Sequence, residues 1–151
     1  MEQIIVIKDF LTQEECQYFI DLIDNKNKNH VQAIIQDKNI AEDFYRKHKE
    51  VFDTITLKGE PVLGLYPDVT LAKSKNAIRK HVDQKLNDTK WKLLIYLNKV
   101  DNGGTIFYID KTKHKVENYQ GCAVIFDISL PHEGEVYKNQ IKYTLGFRII
   151  T

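Results

Sequence analysis

From Thr54 to the C-terminus the chain is a succession of short β-branched and aromatic runs, and this pattern limits its fold more than any other feature. The runs are Thr54 to Leu57, Val62 to Tyr66, Val69 to Ala72, Trp91 to Leu97, Thr105 to Ile109, Ala123 to Asp127 and Ile141 to Ile150. Gly59, Pro67, Asn102-Gly103-Gly104 and Pro131 separate them with turn chemistry. Several short strands behind a helical N-terminal section predict an α+β, mainly β domain, a sandwich or barrel carried by helices.

The N-terminal section reads differently. Ile4 to Ile7 is a short β-branched run. Thr12 and Glu15 then have capping-box spacing, and Cys16, Phe19, Ile20 and Ile23 recur at intervals of three and four, which predicts an amphipathic helix. His30 to Gln36 predicts a strand, and Ala41 to Phe52, with Phe44, Tyr45, His48, Val51 and Phe52, a second helix. His48 and His30 read as core-edge or exposed residues, since the sequence places no ligand partner for them. The charged runs Lys73 to Lys80 and Lys111 to Lys115 read as loops.

At 151 residues the chain is expected to form one domain, a supporting strand and helices over 1–53 and a β core over 54–151. A net charge of +1 exerts no global pull towards nucleic acid or membrane. No run of about 18 apolar residues is present to span a bilayer, and the acidic, short N-terminal run does not resemble a signal peptide. Cys16 and Cys122 lie far apart in apolar settings and read as buried free thiols. A cytoplasmic location is the expectation.

His81 and Asp83 stand two apart, so in an extended segment both side chains point to one face. His132 offers a third ligand, and Lys142 follows ten residues later. Two histidines and one carboxylate that leave positions open at a metal are the donor set of non-haem Fe(II) oxygenases. On the last run Lys142, Thr144, Gly146 and Arg148 share one face and Tyr143, Leu145, Phe147 and Ile149 the other, one lining the barrel and one packing. Arg148 lies about 20 Å beyond Lys142 along an extended strand, too far to hold the same ligand group. A salt bridge at the sheet end is its expected role.

The residues His81-x-Asp83, Leu93 to Asn98, Gly103-Gly104-Thr105-Ile106-Phe107, Gly121 to Phe126, His132-Glu133-Gly134 and Lys142-Tyr143 follow in one frame. In that order and spacing the chain resembles the Fe(II)/2-oxoglutarate-dependent dioxygenases, in particular the prolyl 4-hydroxylase-like branch, over roughly Val62 to Ile150. The resemblance implies a double-stranded β-helix (jelly roll) in which His81 and Asp83 end one strand and His132 lies on the opposing sheet, the three holding iron. It implies that Lys142 pairs with the distal carboxylate of 2-oxoglutarate and that Tyr96 and Thr105 line the same pocket. Tyr66, in Tyr66-Pro67, matches a tyrosine-bearing strand end of some members, which implies that it joins Lys142, Tyr96 and Thr105 in binding the cosubstrate.

The cofactor set so implied is Fe(II), with 2-oxoglutarate and O2 as cosubstrates and ascorbate as a candidate reductant. The implied reaction hydroxylates an unactivated C–H bond, with release of succinate and CO2. Its implied target is a prolyl residue in a peptide or protein, approached through a cleft that the short segment from Gln84 to Lys90 would leave open. Lysines at positions 73, 75, 80 and 90 with Arg79 would suit an acidic partner. The chain departs from the family in two places: many relatives carry arginine where Gly146 stands, and the double-glycine turn is one residue short. Rival readings are a non-catalytic binding module on the same fold, a metal enzyme without 2-oxoglutarate, and a dioxygenase acting on modified nucleic acid. The last is disfavoured because its signature is a pair of arginines beyond the distal histidine.

Overall fold

The computed structural model describes residues 3–26, 32–83 and 88–151. Its centre is a six-stranded antiparallel sheet built from β1 (Ile4–Ile7), β2 (Gln32–Gln36), β5 (Gly64–Ser74), β6 (Trp91–Tyr96), β9 (Ala123–Asp127) and β11 (Lys142–Ile150), in the order β1-β9-β6-β11-β5-β2. Facing it is a three-stranded sheet, β10 (His132–Gly134), β7 (Thr105–Ile109) and β8 (Thr112–Val116), in the order β10-β7-β8. β3 (Thr56–Leu57) and β4 (Glu60–Pro61) form a small hairpin, and helices α1 (Gln13–Lys26), α2 (Lys38–Lys47) and α3 (Lys49–Phe52) complete the described elements. The fold is mainly β, with the two facing antiparallel sheets of a jelly roll.

The alternation of side chains along the central strands explains the layering. Trp91, Leu93 and Ile95 of β6, Ala123 and Ile125 of β9, and Leu145, Phe147 and Ile149 of β11 join one core with the helices. Phe44 of α2 packs its ring, tilted, against that of Phe147 at 4.5 Å between centroids. The opposite parity, Tyr96, Val124 and Phe126, joins a second core with Phe107 and Val116 of the smaller sheet. Strands buried on both faces read as near-continuous apolar runs, as Leu93 to Leu97 and Ala123 to Phe126 do. On β5 and β11 the inner parity changes to Thr70, Ala72, Lys142, Thr144 and Gly146, which cannot fill the space between the sheets. A cavity remains there.

The expected first helix is present with its capping box: Thr12 N–H donates to Glu15 Oε1 (3.0 Å), and Glu15 N–H donates to Thr12 Oγ1 (3.1 Å). Four local expectations need correction. The end of the Val62 to Tyr66 run, from Gly64, and all of Val69 to Ala72 belong to one long strand that runs through Pro67, because β11 shifts register between Phe147 and Ile149 and asks no ladder hydrogen bond of the proline. The helix expected from Ala41 starts at Lys38, where Asp37 caps it through Ile40 N–H (3.0 Å), and it breaks at His48. The His48 ring turns Nδ1 to Phe44 O (2.9 Å), and its Nε2 meets Glu15 Oε2 at 2.9 Å, a carboxylate partner that only the fold supplies. Lys111 to Lys115 contains most of strand β8, hidden in the sequence because only Val116 of that strand is buried and its hairpin turn is Asp110-Lys111, both at positive φ, without glycine. His30 and residues 84–87 of the expected cleft segment lie outside the described residues.

Glu15 thus serves two elements, the first turn of α1 and the break after α2. Burial alone would raise its carboxyl, but the Thr12 N–H and His48 bring it below its ordinary value. A depressed carboxylate contributes stability above its unfolded value and loses it as pH falls through the folded one. Glu15→Ala is therefore expected to cost about 1–3 kcal/mol in urea unfolding at neutral pH. The difference from wild type should shrink as pH falls below about 4.5.

Candidate metal centre

Among the described residues the chain leaves the large sheet after Ser74 and meets β10 before β6 begins, with Ile78 O accepting from Gly134 N–H (2.9 Å). His81 N–H donates to His132 O (2.9 Å) and His132 N–H donates to His81 O (2.8 Å), an antiparallel bridge between 81 and the first residue of β10. His81 and Asp83 are therefore presented by a single bridge to the strand that carries His132, neither at a strand end nor on a sheet opposing it, yet the extended backbone still alternates: Val82 points to solvent while its two neighbours turn inward. His132 is buried, its ring against Phe107 and Phe126 at 5.5 and 4.9 Å.

Each imidazole has Nδ1 against a main-chain carbonyl, His81 to Arg79 O at 2.7 Å and His132 to Leu130 O at 3.0 Å. A carbonyl only accepts, so Nδ1 carries the proton and a neutral ring keeps its lone pair on Nε2. Both Nε2 atoms face Asp83 Oδ1, at 3.2 and 3.3 Å. Two nitrogen lone pairs and a carboxylate oxygen turned towards one another require a cation, either protons on the rings or a metal ion. The three ligand atoms lie within 4.8 Å of one another, and carbonyl-tethered imidazoles with one carboxylate suit a divalent first-row metal such as Fe(II). Burial acts to raise the Asp83 carboxyl, but the hydrogen bond from His132 and the charge of Lys92 hold it well below the usual carboxylate range.

A cavity of about 150 Å³ opens beside this cluster and holds Lys142 on its wall. The Lys142 ammonium lies over the rings of Tyr96 and Tyr137, at 5.3 and 6.0 Å from their centroids. Desolvation pushes its pKa down to about 8, with Glu135 opposing. Glu135 is engaged elsewhere: Oε1 accepts from Gly104 N–H (3.1 Å) and Oε2 meets Lys115 (3.0 Å). Among the described residues no carboxylate forms an ion pair with Lys142. A desolvated ammonium beside an open cavity is a seat for a small anion.

Thr105 reaches the cavity wall, and the buried Tyr96 stands behind it, its hydroxyl 2.6 Å from Thr105 Oγ1. Burial raises the Tyr96 phenol well above its ordinary value, so it is a neutral hydrogen-bonding group. The double glycine is a packing requirement, since a Cβ at Gly104 would stand 2.3 Å from Val116 O and 2.7 Å from Glu135 Oε1.

Tyr66, expected to line the same pocket, does not. It precedes Thr70, the first β5 residue on the cavity wall, by four positions, about 13 Å along a strand, and lies beyond the register shift. Arg148 forms no ion pair among the described residues; it is buried, with Nη1 lacking a hydrogen-bond partner. Several lysines of the expected basic mouth are engaged: Lys73 with Asp24 (2.7 Å), Lys90 with Glu60 (3.7 Å), and Lys80 over the Tyr108 ring (3.8 Å). Sequence reasoning missed Tyr137, whose hydroxyl donates to Ser74 O (2.9 Å) from the cavity wall, and Lys92, 3.2 Å from Asp83 Oδ2. Tyr137 sits in an irregular segment without pattern. The parity of Lys92 with Leu94 and Tyr96 on β6 was a usable signal for an inward lysine.

No protein-family model and no curated protein sequence matches the chain. Solved structures do. A viral collagen prolyl hydroxylase from Paramecium bursaria Chlorella virus-1, in its 2OG complex, has a TM-score of 0.73 at 20% identity over 98% of this chain and 95% of its own. A prolyl-4-hydroxylase from Pseudomonas putida has a TM-score of 0.71 at 18% identity over 100% and 94%. A prolyl hydroxylase from Trichoplax adhaerens, in complex with a hypoxia inducible factor oxygen degradation domain peptide fragment, has a TM-score of 0.73 at 14% identity over 98% and 83%. At these identities the likeness establishes the fold, which these proteins share with this chain. The group is the one that the sequence resembles.

A small dicarboxylate is expected to bind only while Lys142 is protonated. Calorimetric titration with glutarate should give an affinity that is flat below about pH 8 and falls up to about tenfold per unit above it. Lys142→Arg should remove that break, because a guanidinium stays charged throughout.

Proposed function

We propose that this chain is an Fe(II)- and 2-oxoglutarate-dependent dioxygenase that hydroxylates a prolyl residue of a peptide or protein. The observation that carries the reading is the sharing of one cavity by the His81, Asp83 and His132 cluster and by Lys142, a buried ammonium without a carboxylate partner among the described residues. His81 Nε2, Asp83 Oδ1 and His132 Nε2 would hold the iron. Bound there, it supplies the oxidative decarboxylation of 2-oxoglutarate and the transfer of one oxygen atom to the substrate.

The chain's own residues do the rest. Lys142 receives the distal carboxylate, with Thr105 held by Tyr96 as a neighbouring donor and Tyr137 closing the wall above the ammonium. Arg79 O and Leu130 O keep the imidazole protons on Nδ1, so that Nε2 stays available. Phe107 and Phe126 keep water from the buried side of His132. The likeness in fold to three prolyl hydroxylases supports the choice of a prolyl target, and the peptide complex of one of them supports a peptide or protein partner.

Incubation with Fe(II), ascorbate, 2-oxoglutarate and a panel of proline-containing peptides should add one oxygen to a peptide, seen by mass spectrometry, with matching succinate. Lys142→Ala should raise the KM for 2-oxoglutarate about tenfold or more, the loss of one hydrogen bond to a charged group being worth about 1.5–3 kcal/mol. Turnover on methylated oligonucleotides and none on any peptide would replace the prolyl assignment. No succinate with either would favour the binding module.

A further inference from the structure

We propose that Lys92 is a positioning residue for the metal centre: it holds Asp83 as a one-oxygen ligand and serves as its counter-cation when the site is metal-free. The proposal rests on the reading of His81, Asp83 and His132 as metal ligands. Asp83 has two differently occupied oxygens. Oδ1 faces both Nε2 atoms, while Oδ2 has the Lys92 Nζ at 3.2 Å as its charge partner, in contact but without hydrogen-bond alignment. Both side chains are buried, at 12% and 7% exposure, so the pair is weakly screened.

Cross-strand pairing does not explain Lys92. On β6 it stands opposite Arg148 of β11 and Phe126 of β9, and like charges directly opposite destabilise a sheet. Room for it comes from Gly146, where a Cβ would stand 3.3 Å from Lys92 Cε and 3.2 Å from Thr70 Cβ. The absent side chain at Gly146 and the lysine from the neighbouring strand are thus one arrangement, a cation delivered to Asp83 from β6.

Two consequences follow from charge and geometry. A carboxylate whose second oxygen is kept by an ammonium presents only the first to a metal, which leaves one more coordination position for other ligands. The same ammonium repels the incoming divalent ion across the width of one carboxylate, so it weakens metal binding while it stabilises the metal-free fold. Repulsion between an ammonium and a divalent ion outweighs the rotational freedom that the carboxylate regains when Lys92 is removed.

The test is titration of the metal-free full chain with Co(II), followed by visible absorption, together with thermal unfolding with and without Co(II). Lys92→Met is expected to bind Co(II) about tenfold or more tightly than wild type, with weaker absorption from added coordination, and to melt lower than wild type only without Co(II). Lys92→Gln removes the same charge if the methionine variant does not fold, and Lys92→Arg should keep wild-type affinity. A merely structural lysine would lower both melting temperatures and leave affinity unchanged, and that result overturns the proposal alone. Neutral variants that fold neither with nor without Co(II) overturn it too, since the ion should replace the missing charge. A wild-type chain that binds no Co(II) overturns the proposal together with the reading beneath it.

Discussion

Two main-chain hydrogen bonds between residues 81 and 132 hold the functional region together. They tie a segment that has left the large sheet to the first residue of β10, and they bring two histidines fifty-one positions apart to a ring separation of 4.4 Å. Their strength is that of any backbone pair, a net kcal/mol or so each. Their effect is geometric, because once the bridge forms, the two-residue alternation aims His81 and Asp83 inward and the register of β10 on β7 places His132 against Phe107. The sheets themselves are secured elsewhere, by apolar side chains on both faces of β6 and β9.

Charge separates the cavity into two ends. At one end Asp83 Oδ1 faces the Nε2 atoms of His81 and His132 while Oδ2 meets the Lys92 ammonium, so the three ligand atoms form a seat for a cation. At the other, Lys142 has aromatic rings but no anion among the described residues, because Glu135 is already taken by Gly104 N–H and Lys115. A cavity with a cation seat at one end and an unmatched ammonium at the other is arranged to receive an anion that reaches both. Both lysines come from neighbouring central strands, β6 and β11, whose opposite faces carry the main core, so their backbones are positioned by packing that has no part in the chemistry.

Much of this was legible in the sequence because strand parity is legible. The alternation along Lys142 to Ile149 separated the cavity wall from the core correctly, and the His81-x-Asp83 spacing carried its meaning into a segment that is not a regular strand. The capping box of Thr12 and Glu15 was visible for the same reason: it is local. What escaped was either non-local or masked by composition. Pro67 looks like a turn because the register shift that tolerates it lies on another strand, at Phe147 to Ile149. β8 has charged residues where a strand pattern would show apolar ones. Lys92 could be recognised as inward-facing, but its partnership with Asp83 depends on how the bridge at residue 81 folds back over β6. Tyr66 failed for a reason of distance: its parity suits the cavity, but its position along β5 does not.

The proposed function requires that the three-residue cluster and Lys142 form one site for iron and 2-oxoglutarate. The most direct test is anaerobic addition of Fe(II) and then 2-oxoglutarate to the purified chain, watched for the visible charge-transfer absorption of a chelate, with His132→Ala as control. A band that needs both additions and disappears in the variant is the expected result. Folded wild-type protein that shows no band, or a band that survives in His132→Ala, would rule out a joint iron and 2-oxoglutarate site at these residues.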